Sequence, residues 1–281
     1  MSEQDFVISV GSQLHTRFVG KPLHFFDSLD STNTYAMQLA REGASEGTVI
    51  VADAQSGGKG RLGRSWVSPA GVNLYCSLIL RPCVPAVLAP QLNLLAAVAV
   101  AEAIVEVCGI TPTIKWPNDV LVNGKKVCGI LSEMQTSQTS RDRLKAVVVG
   151  IGVNLNAQLD AFPEELREKA SSLCLITGEP VERGMFAASL LTHLEQSYLL
   201  LLQEGFPVLR SAWERYASGL IGKQIAVATP EGVMSGTVLG LDSDGALLVR
   251  EQLTDAPRRV VAGDVTVIDG YTSGEKHDPR D

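Results

Sequence analysis

The chain has 281 residues, 45% of them hydrophobic, and its 24 Lys and Arg against 31 Asp and Glu give a net charge of −7. This length allows one large domain plus a small one, and the acidic balance argues against a general nucleic-acid-binding surface. Five scattered cysteines without a Cys-x-x-Cys pair, together with only four histidines, argue against a zinc site.

No targeting segment is predicted, because the N-terminus begins with acidic and polar residues rather than a basic region and an apolar core. The most apolar segment, 88–108, contains Gln91, Asn93, Glu102 and Glu106. It therefore predicts a buried helix rather than a membrane span, which needs about 20 nearly uncharged residues. The odd cysteine count is typical of reduced thiols. We expect a cytoplasmic protein with no membrane partner.

The first predicted elements are a strand at 24–27 and a helix that ends at Gly43. Ser31 or Thr32 is the predicted N-cap of that helix. Capping alone explains Ser31, Thr32 and Asn33. Alternatively, the free N–H groups and hydroxyls of a helix N-terminus hydrogen-bond a polar ligand.

A glycine-rich loop, 55–66, follows a predicted strand at 47–54. In this loop glycines alternate with cations: Gly58, Lys59, Gly60, Arg61, Gly63 and Arg64. Glycine lets the backbone N–H groups approach a ligand closely, and cations beside them complete an anion site. The pattern therefore indicates a phosphate site, with a flexible charged surface loop as the alternative. Gly58–Gly63 also fits the spacing of a dinucleotide fingerprint, but Pro69 and Gly71 argue against the helix that such a motif requires.

A hairpin is predicted around Asn123-Gly124, the strongest short turn signal in the chain. With this turn, Val122 opposes Lys125, Leu121 opposes Lys126 and Asp119 opposes Cys128. Residues 119, 121, 126 and 128 then share one face, and Asp119 and Lys126 are diagonal neighbours. The two charges form either a surface ion pair of little energetic value or a polarised pair over a ligand.

The later part of the chain predicts a buried strand at 146–156, helices at 183–203 and 206–218, and then a change of pattern. Gly150 and Gly152 indicate a bulge or a close backbone approach in that strand, and Asn154 either contacts a ligand or caps a turn. Short β-like runs follow at 224–228, 233–239, 246–250 and 258–268, with turns at 230–232 and 242–245. They predict a small all-β module.

Five motifs occur in the order seen in biotin protein ligases, and the chain resembles that family from about residue 23 to 270. The motifs are Asp30-Ser-Thr-Asn33, Gln55-Ser-Gly-Gly-Lys-Gly-Arg-Leu-Gly-Arg64 with Trp66, Lys115-Trp-Pro-Asn-Asp119, Lys126-Val-Cys-Gly-Ile-Leu131 and Gly150-Ile-Gly-Val-Asn154. Each motif alone is weak, and the ordered set is strong. The resemblance implies an α+β fold: a mixed, mostly antiparallel sheet with helices on one side, like a class II synthetase, plus a small C-terminal Src-homology-3-like β-barrel. We expect a catalytic domain at 1–218, the barrel at 219–270 and a disordered tail at 271–281.

The resemblance also implies an activity. Biotin and ATP, with magnesium, give biotinoyl-5′-AMP and pyrophosphate, and a lysine of the biotin carboxyl carrier protein of acetyl-CoA carboxylase then displaces AMP. The implied catalytic residues are Lys126, Arg61 and Asp119, where Asp119 either activates the incoming lysine or binds magnesium. The implied biotin-binding residues are Ser31, Thr32, Asn33, Gln55, Lys59, Gly60, Arg61 and Lys126. The implied nucleotide-binding residues are Gly58, Arg64, Trp66, Asn118, Asp119, Gly129 and Asn154.

The chain departs from the family pattern at two places. Lys59 stands where the family loop usually has an arginine, which keeps the charge but loses a bidentate fork; we expect activity to survive with altered adenylate retention. The segment before Asp30 is too short for a winged helix-turn-helix, so we expect no repressor function and no DNA partner. A homodimer is plausible from the family. Two alternatives stay open: a lipoate or octanoyl ligase-like enzyme, and a biotin-sensing module without catalysis.

Overall fold

The computed structural model of the protein describes residues 3–136, 144–229 and 232–268. Its helices are α1 (Glu3–Gln13), α2 (Thr32–Glu42), α3 (Pro90–Cys108), α4 (Leu173–Thr177), α5 (Arg183–Glu204) and α6 (Phe206–Tyr216). Its strands are β1 (Leu23–Leu29), β2 (Val49–Gln55), β3 (Leu74–Leu80), β4 (Thr113–Lys115), β5 (Asp119–Val122), β6 (Lys125–Thr136), β7 (Leu144–Val153), β8 (Gln224–Thr229), β9 (Gly232–Leu241), β10 (Leu247–Glu251), β11 (Pro257–Val260) and β12 (Asp264–Val267).

The strands form two sheets. The larger has seven strands in the order β1-β2-β3-β7-β6-β5-β4, and its pairs are antiparallel except for the parallel pair β1–β2. The smaller has five antiparallel strands in the order β11-β10-β9-β8-β12. A mixed, mostly antiparallel sheet followed by a small antiparallel β module confirms the predicted fold class.

The two faces of the large sheet are covered unequally. Side chains alternate between the faces of a strand, so Val49 and Val51 enter the main core while Ile50 between them faces the other way. The main core includes α3 and α5. On the opposite face α2 packs its Ala36 and Ala40. The candidate site lies beside the N-terminus of α2.

Helix α3 is the most apolar element, and the stretch Ala86–Cys108 is long and apolar enough to cross a membrane by length and composition. Within the fold, however, 72% of its most apolar window is buried. It packs against α5, α6 and the sheet. The prediction of a core helix is confirmed.

The predicted hairpin forms, but one of its pairings is wrong. Asn123 and Gly124 take φ of 51° and 75°, as a type I′ turn requires. Leu121 pairs with Lys126 as predicted, whereas Asp119 opposes Gly129 and not Cys128. The pairing register shifts between Val120 and Leu121, so one extra residue is accommodated on β6 as a β-bulge. Cys128 therefore lies in the core, and Gly129 takes its place beside the site.

Other boundaries differ less. The predicted strand at 258–268 is divided into β11 and β12, because the chain leaves the sheet at 261–263. The glycine-rich loop contains a single 3₁₀ turn, Arg61–Gly63, and the next element is strand β3 rather than a helix. A dinucleotide-binding motif requires a helix at this point, so that interpretation is excluded, as expected. The tail predicted at 271–281 and most of the turn at 230–232 lie outside the described residues.

Candidate active site

A cavity of about 730 Å³ opens where α2, the glycine-rich loop, β5, β6, β7 and β12 meet. This volume falls in the range that small-molecule sites occupy. Almost all residues predicted for the site line the cavity: Ser31, Thr32, Asn33, Gln55, Lys59, Gly60, Arg61, Arg64, Trp66, Asn118, Asp119, Lys126 and Gly129. The structure thus brings segments that are distant in sequence to one place.

One end of the cavity, the neutral end, is lined by uncharged hydroxyl and amide side chains that belong to a partly buried hydrogen-bond network at the start of α2. Gln55 Oε1 accepts from the backbone N–H of Thr32 at 2.9 Å, and Gln55 Nε2 donates to Ser68 Oγ at 2.9 Å. Asn33 Nδ2 donates to the carbonyl of Leu131 at 3.0 Å and to the carboxylate of Glu133 at 2.9 Å. Each amide is therefore fixed in one orientation.

The capping explanation for this stretch holds only for the backbone. Ser31 occupies the N-cap position with extended φ and ψ, but its side chain makes no capping hydrogen bond. Ser31, Thr32 and Asn33 are all at most 4% exposed. Buried polar side chains need partners; those of Thr32 and Asn33 find them within the protein, and all three residues line a cavity instead of closing the helix end. This arrangement favours ligand binding over capping.

Bare glycines on the sheet make room for the side chains above them. A Cβ on Gly150 would lie 2.0 Å from Asn33 Oδ1, and one on Gly152 would lie 2.5 Å from Trp66 Nε1. Gly129 is similarly covered by Trp66, at 2.8 Å. Close approach, rather than a bulge, explains Gly150 and Gly152, since both pair in continuous register with β3. Among the described residues, the buried Trp66 Nε1 has no acceptor.

The glycine-rich loop is a tight, hairpin-like excursion with its tip in solvent. Gly60 N–H donates to the carbonyl of Arg64 at 2.7 Å, and Trp66 N–H donates to that of Gly58 at 2.9 Å. Leu62 at the tip has φ of 56° and is 75% exposed. Backbone hydrogen bonds therefore hold the base of the loop, whereas Leu62 at its tip is exposed to solvent.

Lys126 forms an ion pair with Asp119 at 2.6 Å and lies 5.4 Å from the centroid of the Trp66 ring. Its backbone N–H donates to the carbonyl of Lys169 at 2.8 Å, and its carbonyl accepts from Ser171 N–H at 3.0 Å. Strand β6, the Asp119 carboxylate and the segment 169–171 together fix the position of Lys126. Such fixation is what a charge-stabilising group requires.

The two arginines of the loop reach the C-terminal module. Arg61 donates to Asn118 Oδ1 and to the carbonyl of Gly263, both at 3.0 Å. Arg64 forms an ion pair with Asp264 at 2.7 Å. Burial lowers the pKa of Arg61, and Asp119 and Asp264 oppose that shift; the guanidinium stays charged, as arginine does in proteins. Loop and barrel meet over the cavity.

The charge of this end favours an anionic ligand. Six cationic side chains line the cavity, against three carboxylates. The cations are Lys59, Arg61, Arg64, Lys115, Lys126 and Lys169, and the carboxylates are Asp119, Glu168 and Asp264. In a protein of net charge −7, this local excess of three positive charges concentrates anions at the cavity.

Two predicted residues do not line the cavity. Gly58 lies at the base of the loop, where a Cβ would meet the Trp66 carbonyl at 2.4 Å. Asn154 is 4% exposed and donates from Nδ2 to the carbonyl of Ser171 at 3.1 Å. Asn154 thereby anchors the segment that holds the backbone of Lys126. Both residues support the site from behind.

Sequence reasoning missed three parts of the cavity wall. The segment 166–170 and the pair Asp264 and Thr266 carry no local signal, because only the tertiary fold brings them to the site. Lys115 opens the motif Lys115-Trp-Pro-Asn-Asp119, and its position close in sequence to Asn118 and Asp119 is a signal that could have placed it in the site.

Comparison with known proteins agrees with this geometry. Residues 25–154 match the Biotin/lipoate A/B protein ligase family, and residues 220–267 match the Biotin protein ligase C terminal domain. The chain is 42% identical over 252 residues to the bifunctional ligase/repressor BirA of Bacillus subtilis, covering 90% of this chain and 76% of the relative. It is 40% identical over 224 residues to the biotin–[acetyl-CoA-carboxylase] ligase of Paracoccus denitrificans, covering 79% of this chain and 91% of the relative.

Among solved structures, the biotin protein ligase from Aquifex aeolicus in complex with biotin and ATP superposes with a TM-score of 0.73 at 30% identity. That match covers 88% of this chain and 98% of the other. The matched residue ranges, the identity to relatives and the fold therefore all agree with one family. The chain belongs to the biotin protein ligases.

Proposed function

We propose that the chain activates biotin with ATP to biotinoyl-5′-AMP and transfers biotin to a lysine of the biotin carboxyl carrier protein of acetyl-CoA carboxylase. One observation carries the proposal: a single cavity joins a neutral hydrogen-bonding end to a cationic end, with Lys126 at the cationic end. A ligand with a neutral polar head and a carboxylate fits this polarity. The carboxylate then lies where phosphates also bind.

In the first step a biotin carboxylate oxygen attacks the α-phosphorus of ATP. The new P–O bond forms as the bond to pyrophosphate breaks, and pyrophosphate carries away the displaced electron pair. Lys126 stabilises the charge that the carboxylate and α-phosphate share, and Arg61 holds phosphate oxygens. Fixed cations at developing charge are usually the largest catalytic contribution.

The neutral end recognises the biotin ureido head. This group offers both N–H donors and a carbonyl acceptor, and Ser31, Thr32 and Gln55 present hydroxyls and an amide. Asn33 has both Nδ2 hydrogens engaged by Leu131 and Glu133, so we assign it a supporting position beside the head. Lys59 and Gly60 close the site from the loop.

In the second step the carrier lysine attacks the anhydride carbonyl as a neutral amine. The C–N bond forms, the C–O bond to AMP breaks with its electron pair leaving on the AMP phosphate, and the amine releases one proton to solvent. Asp119 is the cavity's carboxylate closest to Lys126, and we assign it the placing of the incoming amine. Trp66, Asn118, Arg64 and Gly129 contact the nucleotide in this proposal. Loop closure excludes water, which would hydrolyse the anhydride.

Magnesium accompanies ATP in the proposed reaction. The ion is typically held by one or two carboxylates together with substrate phosphates. No group of three or more His, Cys, Asp or Glu suited to a metal occurs in the described part of the chain, whereas Asp119, Glu168 and Asp264 line the cavity. These carboxylates fit an ion that arrives with the nucleotide; it would supply charge neutralisation at the phosphates.

Isothermal titration with biotin, lipoate and octanoate tests the substrate class, and transfer of labelled biotin to a purified carrier domain tests the acceptor. We expect binding of biotin alone and labelling of one carrier lysine. Binding of lipoate instead would favour the lipoate ligase alternative. Biotin binding without any labelling would favour a sensor.

Several further assignments belong to the same proposal. These are a catalytic domain at 1–218 with a barrel at 219–270, cytoplasmic location, no membrane or DNA partner, and possible homodimerisation. The absence of repressor function is tested by a gel-shift assay with promoter DNA, since relatives such as that of Bacillus subtilis are named ligase/repressors. A sequence-specific shift would contradict it.

A further inference from the structure

Ser77 lies behind the neutral end of the cavity, on β3, and is fully buried. It does not line the cavity, and no motif in the sequence marks it. Its Oγ lies 2.8 Å from Thr32 Oγ1 and 2.7 Å from Asn33 Oδ1. It therefore connects two predicted ligand-binding side chains through a single hydroxyl.

The direction of these hydrogen bonds follows from the groups that contact Asn33 Nδ2. The carbonyl of Leu131 and the carboxylate of Glu133 only accept, so the nitrogen of the Asn33 amide must face them. Its oxygen then faces Ser77 and also only accepts. The Ser77 hydroxyl has one proton, and it uses that proton to donate a hydrogen bond to Asn33 Oδ1.

The proton of Thr32 is fixed by the same reasoning. Since Ser77 has no second proton, the 2.8 Å contact requires Thr32 Oγ1–H to donate to Ser77 Oγ. The other oxygen near Thr32 Oγ1, Gln55 Oε1, is farther away at 3.2 Å and already accepts from the Thr32 backbone N–H. The Thr32 hydroxyl thus donates to Ser77, and toward a ligand in the cavity it acts only as a hydrogen-bond acceptor.

We propose that Ser77 is a positioning residue that makes Thr32 a fixed hydrogen-bond acceptor and so selects a ligand whose head carries an N–H donor at that point. The inference rests on the proposed function, in which that head is a cyclic urea. A disulfide-containing ring has no N–H to offer and leaves Thr32 Oγ1 unpaired. An unpaired buried polar group is costly, so the chain Glu133–Asn33–Ser77–Thr32 discriminates against such a ligand.

The test is a double-mutant cycle measured by calorimetric titration with biotin. Ser77→Ala frees the Thr32 hydroxyl to turn toward Gln55, and we expect the biotin Kd to rise about 10-fold, the scale of one lost hydrogen bond. Thr32→Val removes the acceptor itself. In the Thr32→Val background, Ser77→Ala should change the Kd less than about 2-fold, because coupled residues are non-additive.

Ser132→Ala is the matched control, since Ser132 donates to Asn93 Oδ1 at the same 2.8 Å but outside the cavity. Its Kd should stay within about 2-fold of wild type. Ser77→Cys serves if the alanine variant does not fold, because a thiol fills the space but donates only weakly. Equal effects of Ser77→Ala in both backgrounds would overturn the assignment. Wild-type protein that binds no biotin would instead overturn the proposed function.

Discussion

The two ends of the cavity are built in different ways. At the neutral end, α2 and the sheet hold Thr32, Asn33 and Gln55 in a buried network whose side-chain amides each have defined partners. At the cationic end, long side chains from an exposed loop reach across to the barrel, and Arg64 remains 67% exposed. The first end is suited to recognising shape and hydrogen-bond polarity, and the second is suited to holding charge.

This difference has an energetic reason. A buried amide or hydroxyl discriminates strongly, because a wrong ligand leaves it unpaired in a site without water. A solvated ion pair gains little on its own but is easily exchanged for a phosphate. We therefore expect changes at the neutral end to affect which ligand binds, and changes at the cationic end to affect chemistry and adenylate retention.

The largest expected effect is that of Lys126→Ala, which should reduce the rate of adenylate formation at least about 100-fold, the scale of one charge-stabilising group. Pre-steady-state adenylate formation measures it. The matched control is Lys125→Ala, because Lys125 neighbours it on β6 but does not line the cavity. An unchanged rate for Lys126→Ala would remove this lysine from the mechanism.

Two glycine substitutions separate the ends. Gly150→Ala places a Cβ 2.0 Å from Asn33 Oδ1, whereas Gly129→Ala places one 2.8 Å from the Trp66 ring. Overpacking costs about 1–3 kcal/mol, so we expect the first to weaken biotin binding about 10- to 100-fold and the second to weaken ATP binding instead. Calorimetric titration of both variants with biotin and with ATP measures these two affinities. In the control Gly11→Ala, nothing lies within 4 Å of the new Cβ.

Equal losses of both ligands in both glycine variants would contradict the separation of the two ends.

Arg61→Gly should loosen the contact between loop and barrel, since Arg61 donates to both Asn118 and Gly263. The adenylate then escapes, and bystander proteins should be labelled several-fold more than by wild type. Streptavidin blotting of a mixture containing serum albumin measures this. Labelling that stays at the wild-type level would contradict a retaining role for Arg61.

The smallest effect is expected for Asp264→Asn at the ion pair with Arg64. Burial opposes ionisation of Asp264, but the hydrogen bond from Arg64 and the cations Lys115 and Arg61 bring its pKa below the ordinary 3.8. A lowered pKa in the folded state stabilises the protein above the unfolded value, and the contribution is lost as pH falls through the folded pKa.

Thermal unfolding of wild type and Asp264→Asn should therefore differ slightly at pH 7, by at most about 1 kcal/mol, and this difference should shrink as the pH falls below 3.8 through the lowered pKa of Asp264. A difference that grows on acidification would contradict the sign of this shift.

Sequence patterns predicted the fold well where local chemistry dominates. The turn at Asn123-Gly124, the cap glycine Gly43 and the apolar helix α3 each follow from backbone or burial preferences of their own residues. The wrong pairing of Asp119 came from the β-bulge on β6, which accommodates two consecutive core residues. No alternation rule anticipates such an insertion.

The site was predictable to the extent that its residues lie in motifs. Asp264 and Thr266 reach the cavity because β12 lies at the edge of the small sheet beside the loop, which is a property of how the two sheets pack. Ser77 looks like any small residue of a buried strand, and only the amide orientation of Asn33 shows its role. Tertiary contacts of this kind leave no trace in a single sequence.

The most direct test of the account is biotin-dependent ATP–pyrophosphate exchange with purified protein and magnesium, with lipoate and octanoate in parallel. Exchange with biotin alone is the predicted result, because the neutral end requires an N–H donor and the cationic end activates the carboxylate. Exchange with lipoate in place of biotin would contradict the assignment of the neutral end, and binding of biotin without exchange would contradict the role given to Lys126 and the glycine-rich loop.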